Sequence, residues 1–160
     1  AIPSGLSDSE WSATTEGAVA VYDEGGVDEA TNLEDYGRLY NWYAVNTGNL
    51  CPSGWRVASN VDLQTFSVLE PANKGSQLKA SSDDEPAWDG TNESGFSGLP
   101  GGIRIQSGAY FSVGEWGYWW TTSSTSSYLY WYLNSSTSIA MTSTTYPQRG
   151  LSVRCVQDAD

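Results

Sequence analysis

Residues 117–156 have the sequence GYWWTTSSTSSYLYWYLNSSTSIAMTSTTYPQRGLSVRCV, which predicts three strands joined by Ser/Thr-rich loops. In the first half of this segment the residue types alternate with a period of two, and successive side chains of a strand point to opposite faces of a sheet. One predicted face carries Leu129, Trp131 and Leu133. The opposite face carries a row of polar and aromatic side chains, namely Tyr128, Tyr130, Tyr132 and Asn134. The segment therefore predicts a sheet with one apolar and one tyrosine-rich face.

The tyrosine-rich face lies among short polar side chains, since Ser and Thr are frequent throughout residues 121–145. Tyr combined with Ser, Thr and Asn is typical of antibody paratopes, where rigid rings supply contact area and small polar groups supply adaptable hydrogen bonds. This composition predicts a recognition surface carried on a rigid sheet. Two alternatives stay open: Tyr and Thr also favour strands through packing alone, and a neighbouring element would cover the tyrosine row if it packed there.

The length and composition predict one domain over residues 1–160. A chain of 160 residues buries roughly two thirds of the surface that it exposes when unfolded. The apolar content of 39%, with 8 Trp and 10 Tyr, supplies a hydrophobic core and excludes disorder. Seventeen Gly and short apolar runs favour a loop-rich fold with more strand than helix.

The charge balance limits the classes of partner. Seven basic residues stand against 19 acidic ones, which gives a formal net charge of −12. Such a surface repels phosphate backbones and anionic headgroups, so we expect no nucleic-acid partner. No apolar run is long enough to predict a transmembrane helix, so we expect no membrane insertion. Because residue 1 is Ala and the single Met is Met141, we expect the chain to be a trimmed or processed piece that lacks its original N-terminus.

The two cysteines, Cys51 and Cys155, lie far apart in the sequence, and neither belongs to a CxxC motif. A disulfide that closed so long a loop would stabilise the fold by up to about 4–5 kcal/mol in the chain-entropy model. It would also imply an oxidising compartment such as a cell surface. Two buried free thiols are the alternative.

Before residue 117 the patterns predict several short elements. The aromatic residues of 36–45 follow helical i, i+3, i+4 spacing, with Asp35 as the N-cap. A second helix is predicted after Ser59, because Asp62 stands where a capping box needs an acid, and Leu63, Phe66 and Leu69 would be apolar contacts. Strands are predicted over residues 18–22, 55–58, 103–105 and 109–113, and irregular structure over residues 1–17, 23–34 and 71–95.

The chain contains no histidine, which excludes Ser-His-Asp triads, Cys-His pairs and His-based metal sites. It also lacks GxGxxG and P-loop patterns. Acidic residues cluster in the loop at 83–93, namely Asp83, Asp84, Glu85, Asp89 and Glu93. Clustered loop acids are most often solvated charge. The alternatives are a Ca²⁺ site, with Asp83, Asp84, Glu85 and Asp89 as ligands, and a pair of catalytic carboxylates such as glycosidases use.

Three sequence blocks resemble the Fibrobacter succinogenes major paralogous domain: YGRLYNWYAV with LCPSGWRV (36–57), GTNESGF with LPGG (90–102), and GYWW with SVRCV (117–156). That family resembles the C-type lectin fold. The resemblance implies an α+β domain with two helices around a small, twisted, mostly antiparallel sheet. It also implies that Cys51 and Cys155 form a structural pair.

The C-type lectin fold is shared with the variable proteins of diversity-generating retroelements, whose C-terminal part carries variable positions on a fixed scaffold. Adenine-directed mutagenesis of AAC-type codons yields Asn, Ser, Thr, Tyr, Ala, Ile and Gly, and residues 121–148 are dominated by these types. The resemblance therefore implies a variable ligand-binding region at 117–156. The outward candidates are Tyr128, Tyr130, Tyr132, Asn134, Ser136, Ser138, Ala140, Thr142, Thr145 and Tyr146.

The resemblance implies a receptor- or adhesin-type binding domain rather than an enzyme, with a protein or glycan on another cell or particle as its partner. It implies an extracellular location, on a cell or virion surface, and no cofactor. The Glu-Pro-Asn and Trp-Asn-Asp motifs of calcium-dependent sugar binding are absent, since the chain has only Glu85-Pro86-Ala87 and Trp88-Asp89-Gly90. The alternatives are a carbohydrate-active enzyme or accessory domain that uses the acidic loop, and a structural cell-surface module.

Overall fold

The computed structural model describes residues 1–65, 73–122, 128–135 and 141–157. These residues form five short helices: α1 (Asp8–Ala13), α2 (Glu29–Tyr36), α3 (Trp42–Val45), α4 (Asn60–Gln64) and α5 (Lys74–Leu78). They also form nine strands: β1 (Val19–Ala20), β2 (Leu39–Tyr40), β3 (Trp55–Val57), β4 (Gly101–Arg104), β5 (Tyr110–Val113), β6 (Trp116–Trp120), β7 (Leu129–Asn134), β8 (Met141–Thr144) and β9 (Cys155–Gln157).

The strands pair antiparallel as β1–β2, β3–β9, β4–β5 and β6–β7–β8. The predicted mixture of helices with small antiparallel sheets is therefore confirmed. The expectation of two helices is wrong, because the described residues form five, and the strands divide among four small sheets rather than one.

Helix α1 lies within the first seventeen residues, which were predicted to be irregular. The Ser7 hydroxyl accepts a hydrogen bond from the Glu10 N–H, and the Glu10 carboxylate accepts one from the Ser7 N–H at 2.9 Å. This reciprocal pair is a capping box. On the same helix the Trp11 side chain is fully buried. The cap and this buried anchor together explain why so polar a segment is helical.

The predicted continuous helix over residues 36–45 is wrong. Helix α2 occupies the preceding segment, which was predicted to be a loop, and it ends at Gly37, whose φ of 74° is a left-handed conformation. The next residues form β2, which pairs with β1. Helix α3 begins only afterwards, and its N-cap is Asn41 rather than Asp35, since the Asn41 side chain accepts a hydrogen bond from the Ala44 N–H.

Strand β3 confirms the strand predicted over residues 55–58 and pairs with β9 at the end of the described chain. This pairing brings Cys51 and Cys155 together in a disulfide with a Cα–Cα distance of 5.8 Å. The alternative of two free thiols is therefore excluded. The bridge ties the segment before α4 to the last strand.

Helix α4 confirms the predicted helix start at Ser59, where the hydroxyl accepts a hydrogen bond from the Asp62 N–H at 3.1 Å. Leu63 is buried as expected. Phe66 and Leu69, which the same prediction included, lie outside the described residues. Helix α5 lies within the segment 71–95 that was predicted to be a loop, and Leu78 at its end is fully buried.

The three-stranded sheet β6–β7–β8 lies between two hydrophobic clusters. On one face Trp119 and Trp131 are cross-strand partners, and they pack with residues of the 58–99 segment such as Phe96 and Trp88. On the other face Trp120 packs in a cluster with Val45, Val57, Ile103 and Leu151. Packing on both faces makes the sheet a rigid support. We call the face that carries Trp120 its second face.

Candidate functional site

The second face of the sheet carries a continuous row of aromatic side chains. The register places Tyr118 opposite Tyr132 and Trp120 opposite Tyr130, and directly opposite residues lie on the same face of a sheet. The predicted separation of the tyrosines from Trp131 and Leu133 is therefore correct for Tyr130 and Tyr132. Both tyrosines are half-buried.

The rings of this row are within van der Waals range of one another. Trp116 stacks on Tyr118 with 5.9 Å between ring centroids, and on Tyr132 with 5.7 Å. The Tyr130 and Tyr132 centroids are 5.8 Å apart, and those of Tyr118 and Tyr130 are 6.1 Å apart. Aromatic pairs at such distances stabilise one another by about 0.5–1.5 kcal/mol beyond their burial. The row is therefore a pre-ordered surface rather than a set of independent side chains.

The aromatic row forms one wall of a groove of about 420 Å³, which we call the aromatic groove. The hairpin β4–β5 and the segment before β9 supply the rest of its lining. The lining residues are Ile103, Ile105, Phe111, Ser112, Trp116, Tyr118, Tyr130, Tyr132 and Arg149. Ligand sites are typically concave, largely apolar and furnished with a few placed polar groups. The aromatic groove is concave and furnished with placed polar groups, and its lining combines aromatic and aliphatic side chains with a comparable amount of polar surface.

Ser112 lies in the groove wall with an unusual backbone conformation. Its φ is 67°, in the left-handed region that residues other than glycine rarely adopt. Its cross-strand neighbour Gly102 also has a φ of 67°, and a Cβ there would lie 2.7 Å from the Phe111 carbonyl oxygen. The hairpin is therefore bent at this pair of residues, directly at the groove.

Two polar groups set the electrostatics of the aromatic groove. The pKa of the Tyr118 hydroxyl is raised, mainly because the hydroxyl is buried. The Ser112 side chain and the positive charge of Arg149 lower this pKa, but by less than burial raises it. The Arg149 Nε–H donates a hydrogen bond to Gln106 Oε1 at 3.1 Å, and its guanidinium lies 5.8 Å from the centroid of the Tyr146 ring. Tyr118 is therefore a neutral phenol near neutral pH, and Arg149 is held in place beside it.

Exposed aromatic surface lies at the groove. Phe111, in its lining, is 51% exposed, and Tyr146, in contact with Arg149, is 57% exposed. Tyr146 was among the predicted site residues, whereas Phe111 was not. Both rings add exposed aromatic surface beside the groove.

The other predicted site residues are placed differently. Tyr128 packs on the cluster around Trp120, with its ring centroid 5.8 Å from that of Trp42. Asn134, expected to face outward, is only 7% exposed. Thr145 is half-buried, and its N–H donates to the Tyr128 carbonyl oxygen. In the register Thr142 pairs with Trp131, and it is Ser143 that pairs with Tyr130. Ser136, Ser138 and Ala140 lie outside the described residues.

The candidate residues named from the sequence do not include four residues that line the groove, namely Trp116, Tyr118, Phe111 and Arg149. Trp116 could have been found, because it precedes Tyr118 by two positions and therefore shares its face of β6. Phe111 and Arg149 come from other parts of the chain, and no local pattern in the sequence marks them as neighbours of the tyrosine row.

The acidic loop holds its carboxylates in local interactions. The Ser81 N–H and the Asn92 amide both donate to Asp84 Oδ2, and hydrogen bonding from Ser81 lowers the Asp84 pKa. Asp89 forms an ion pair with the buried Lys79 at 2.7 Å, while Asp83 and Glu85 are exposed. Across the described part of the chain, no group of three or more acidic or cysteine side chains is placed to hold a metal ion.

The family model of the Fibrobacter succinogenes major domain matches residues 6–157, and the chain therefore belongs to this family. No curated protein and no solved structure matches the chain. Among the helices that the structure describes, none has the length and apolar character needed to cross a membrane.

Proposed function

We propose that this domain binds a protein or glycan ligand in the aromatic groove and does not act as an enzyme. The observation that carries the proposal is the row of stacked rings from Trp116, Tyr118, Tyr130 and Tyr132 along one wall of a concave site. Rings that are already ordered lose little conformational freedom when a ligand covers them, so more of the contact energy remains as affinity. Tyr and Trp are also the residue types most enriched among binding hot spots.

The same proposal places the domain outside the cell, on a cell or virion surface, with a C-type lectin-like scaffold. The Cys51–Cys155 disulfide supports an oxidising compartment. The placement of helices and short antiparallel strands around the β6–β7–β8 sheet is compatible with such a scaffold. The net charge of −12 makes nucleic acid an unfavourable partner.

We further propose that residues 117–156 are diversified by a retroelement. The Ser-, Thr-, Tyr- and Asn-rich composition of residues 121–148 between the GYWW and GLSVRCV blocks supports this. Nucleotide sequencing of the locus tests it: we expect a near-identical repeat of this coding segment that differs at adenines, beside a reverse transcriptase gene. A locus without such a repeat would contradict diversification and leave the binding proposal untouched.

The binding proposal is tested by comparing two tryptophan variants on glycan and protein arrays. Trp116→Ala removes a groove ring, whereas Trp55→Ala removes a tryptophan that is 45% exposed and lies outside the groove lining. We expect the wild-type chain to bind specific array members. We expect Trp116→Ala to bind them at least about tenfold more weakly, as loss of a hot-spot ring does, and Trp55→Ala to bind them like the wild type.

Circular dichroism and thermal unfolding show whether each variant is folded. Tyr132→Phe provides a second comparison, because it keeps the ring stack and removes only the hydroxyl. Equal binding by Trp116→Ala and the wild type, or arrays on which the wild type binds nothing, would contradict the proposal.

A further inference from the structure

Arg149 differs from the other cations that the structure shows packed into this acidic chain. Lys79 pairs with Asp89 at 2.7 Å, Arg104 with Asp8 at 3.2 Å, and Arg56 with Asp62. Arg154 has no carboxylate partner among the described residues, but one of its Nη groups donates a hydrogen bond to the Phe96 carbonyl oxygen at 2.7 Å. Within the described residues no carboxylate lies within ion-pair distance of Arg149, although acidic residues outnumber basic ones by 19 to 7. A half-buried guanidinium without an anionic partner in the protein can bind an anionic group of a ligand.

The position of the Arg149 side chain suits it for this role. The hydrogen bond from its Nε–H to Gln106 fixes the side chain, and the contact with the Tyr146 ring supports one side of the guanidinium. In the described part of the structure the two Nη groups donate no hydrogen bond to the protein. These donors form a planar fork that matches the two oxygens of a carboxylate.

The rest of the groove favours a ligand built from rings. The wall of Trp116, Tyr118 and Tyr132 offers aromatic surface against which the C–H faces of a sugar ring can pack, and the tyrosine hydroxyls can exchange hydrogen bonds with sugar hydroxyls. A groove of about 420 Å³ suits a short oligosaccharide. It suits a protein partner less well, because each partner in a standard protein–protein interface buries about 800 Å² of largely flat surface. The aromatic groove thus combines ring-binding surface with a single cation.

We infer that the aromatic groove binds a carboxylated oligosaccharide, with the sugar rings on the aromatic wall and a carboxylate on Arg149. The inference rests on the proposed function, because it names the class of ligand for the same groove. It adds a requirement for negative charge at one point of the ligand, which neither the tyrosine row nor the net charge of the protein predicts.

The test uses a panel of uronic acid oligosaccharides, each paired with its methyl ester, and isothermal titration calorimetry on the 160-residue chain. Esterification removes the charge and keeps the sugar rings. We expect the wild type to bind at least one free acid about tenfold or more tightly than its ester, as a charge-assisted contact provides. In Arg149→Gln we expect the free acid to bind only as well as the ester.

Arg38→Gln is the matched control, because it removes the same charge from an exposed position outside the groove lining. We expect it to keep the preference for the free acid. Equal binding of acids and esters by the wild type would overturn the inference, and so would an undiminished preference for the free acid in Arg149→Gln. The comparison of acid with ester needs no variant, so it remains decisive if Arg149→Gln fails to fold.

The outcomes also separate this inference from the proposed function. If acids and esters bind equally and both lose affinity in Trp116→Ala, the groove is the binding site and the inference about charge is wrong. If binding of the free acid survives in Trp116→Ala, the groove itself is wrong as the site.

Discussion

At the scale of single residues, Ser112 combines backbone strain with a place in the groove lining. Its φ of 67° brings its Cβ close to its own backbone, which costs about 1–2 kcal/mol for a residue other than glycine. Strained residues persist where the surrounding structure holds them, and they are often found at functional sites. Here the strained residue carries a hydroxyl that lowers the pKa of Tyr118, another residue of the groove lining.

Comparison of Ser112→Gly with Ser112→Ala measures this strain. Both variants remove the hydroxyl, but only glycine adopts a positive φ without steric cost. After allowance for the greater freedom of glycine in the unfolded chain, we expect Ser112→Gly to be about 0.5–1 kcal/mol more stable than Ser112→Ala in urea unfolding. An alanine variant as stable as the glycine variant would show that the backbone at this position is not strained.

The local elements depend on side-chain caps that involve acids. In α4 the Asp62 carboxylate accepts hydrogen bonds from the Ser59 N–H and from both terminal nitrogens of Arg56. The contact with Arg56 is the largest cause of a pKa for Asp62 far below its usual range. A carboxylate with a lowered pKa stabilises the folded state at any pH above its unfolded pKa of about 3.9, and this contribution is lost as the pH falls towards the folded pKa.

Asp62→Asn tests this contribution. The ion pair with Arg56 is partly exposed, so solvent screening reduces its contribution to stability. The capping interaction of Asp62 with Ser59 accounts for much of the remaining contribution. We expect the variant to be about 1 kcal/mol less stable than the wild type at about pH 7. We expect the difference to shrink as the pH falls from about 4 to about 2, because in this range Asp62 is protonated in the unfolded wild-type chain and still ionised in the folded one.

Urea unfolding at both pH values measures the difference in stability between Asp62→Asn and the wild type. Asp83→Asn is the control, because it neutralises an exposed loop acid. A difference between Asp62→Asn and the wild type that did not depend on pH would contradict the assigned role of the carboxylate.

The elements also show which sequence signals were sufficient. Strict alternation in YLYWYLN identified β7 and its two faces, because a strand fixes the direction of each side chain locally. Helical spacing over residues 36–45 was misleading, because the left-handed Gly37 ends α2 and the pairing of β2 with β1 extends the backbone after it. The capping pattern at Ser59 predicts the start of α4 correctly, and the same pattern at Ser7 marks α1 within a segment predicted to be irregular.

At the scale of the whole molecule, the candidate site is assembled from distant parts of the chain. Tyr130 and Tyr132 could be predicted because one strand, β7, carries both. The opposite wall could not, since Phe111 and Arg149 reach the groove through the placement of the β4–β5 hairpin and of the segment before β9. The burial of two predicted site residues also depends on distant contacts. Tyr128 packs against the cluster around Trp120. Asn134 is buried, and its carbonyl oxygen accepts a hydrogen bond from the Lys79 side chain.

Nuclear magnetic resonance shows directly whether the ligand occupies the aromatic groove. The wild-type chain would be titrated with the glycan that gives the strongest array signal, while the indole N–H resonances of its tryptophans are followed. We predict a large shift of the Trp116 resonance and an unchanged resonance for Trp88, which is buried in the cluster on the opposite face of the sheet. Shifts confined to the acidic loop around Asp84 and Trp88, with Trp116 unaffected, would contradict binding in the groove.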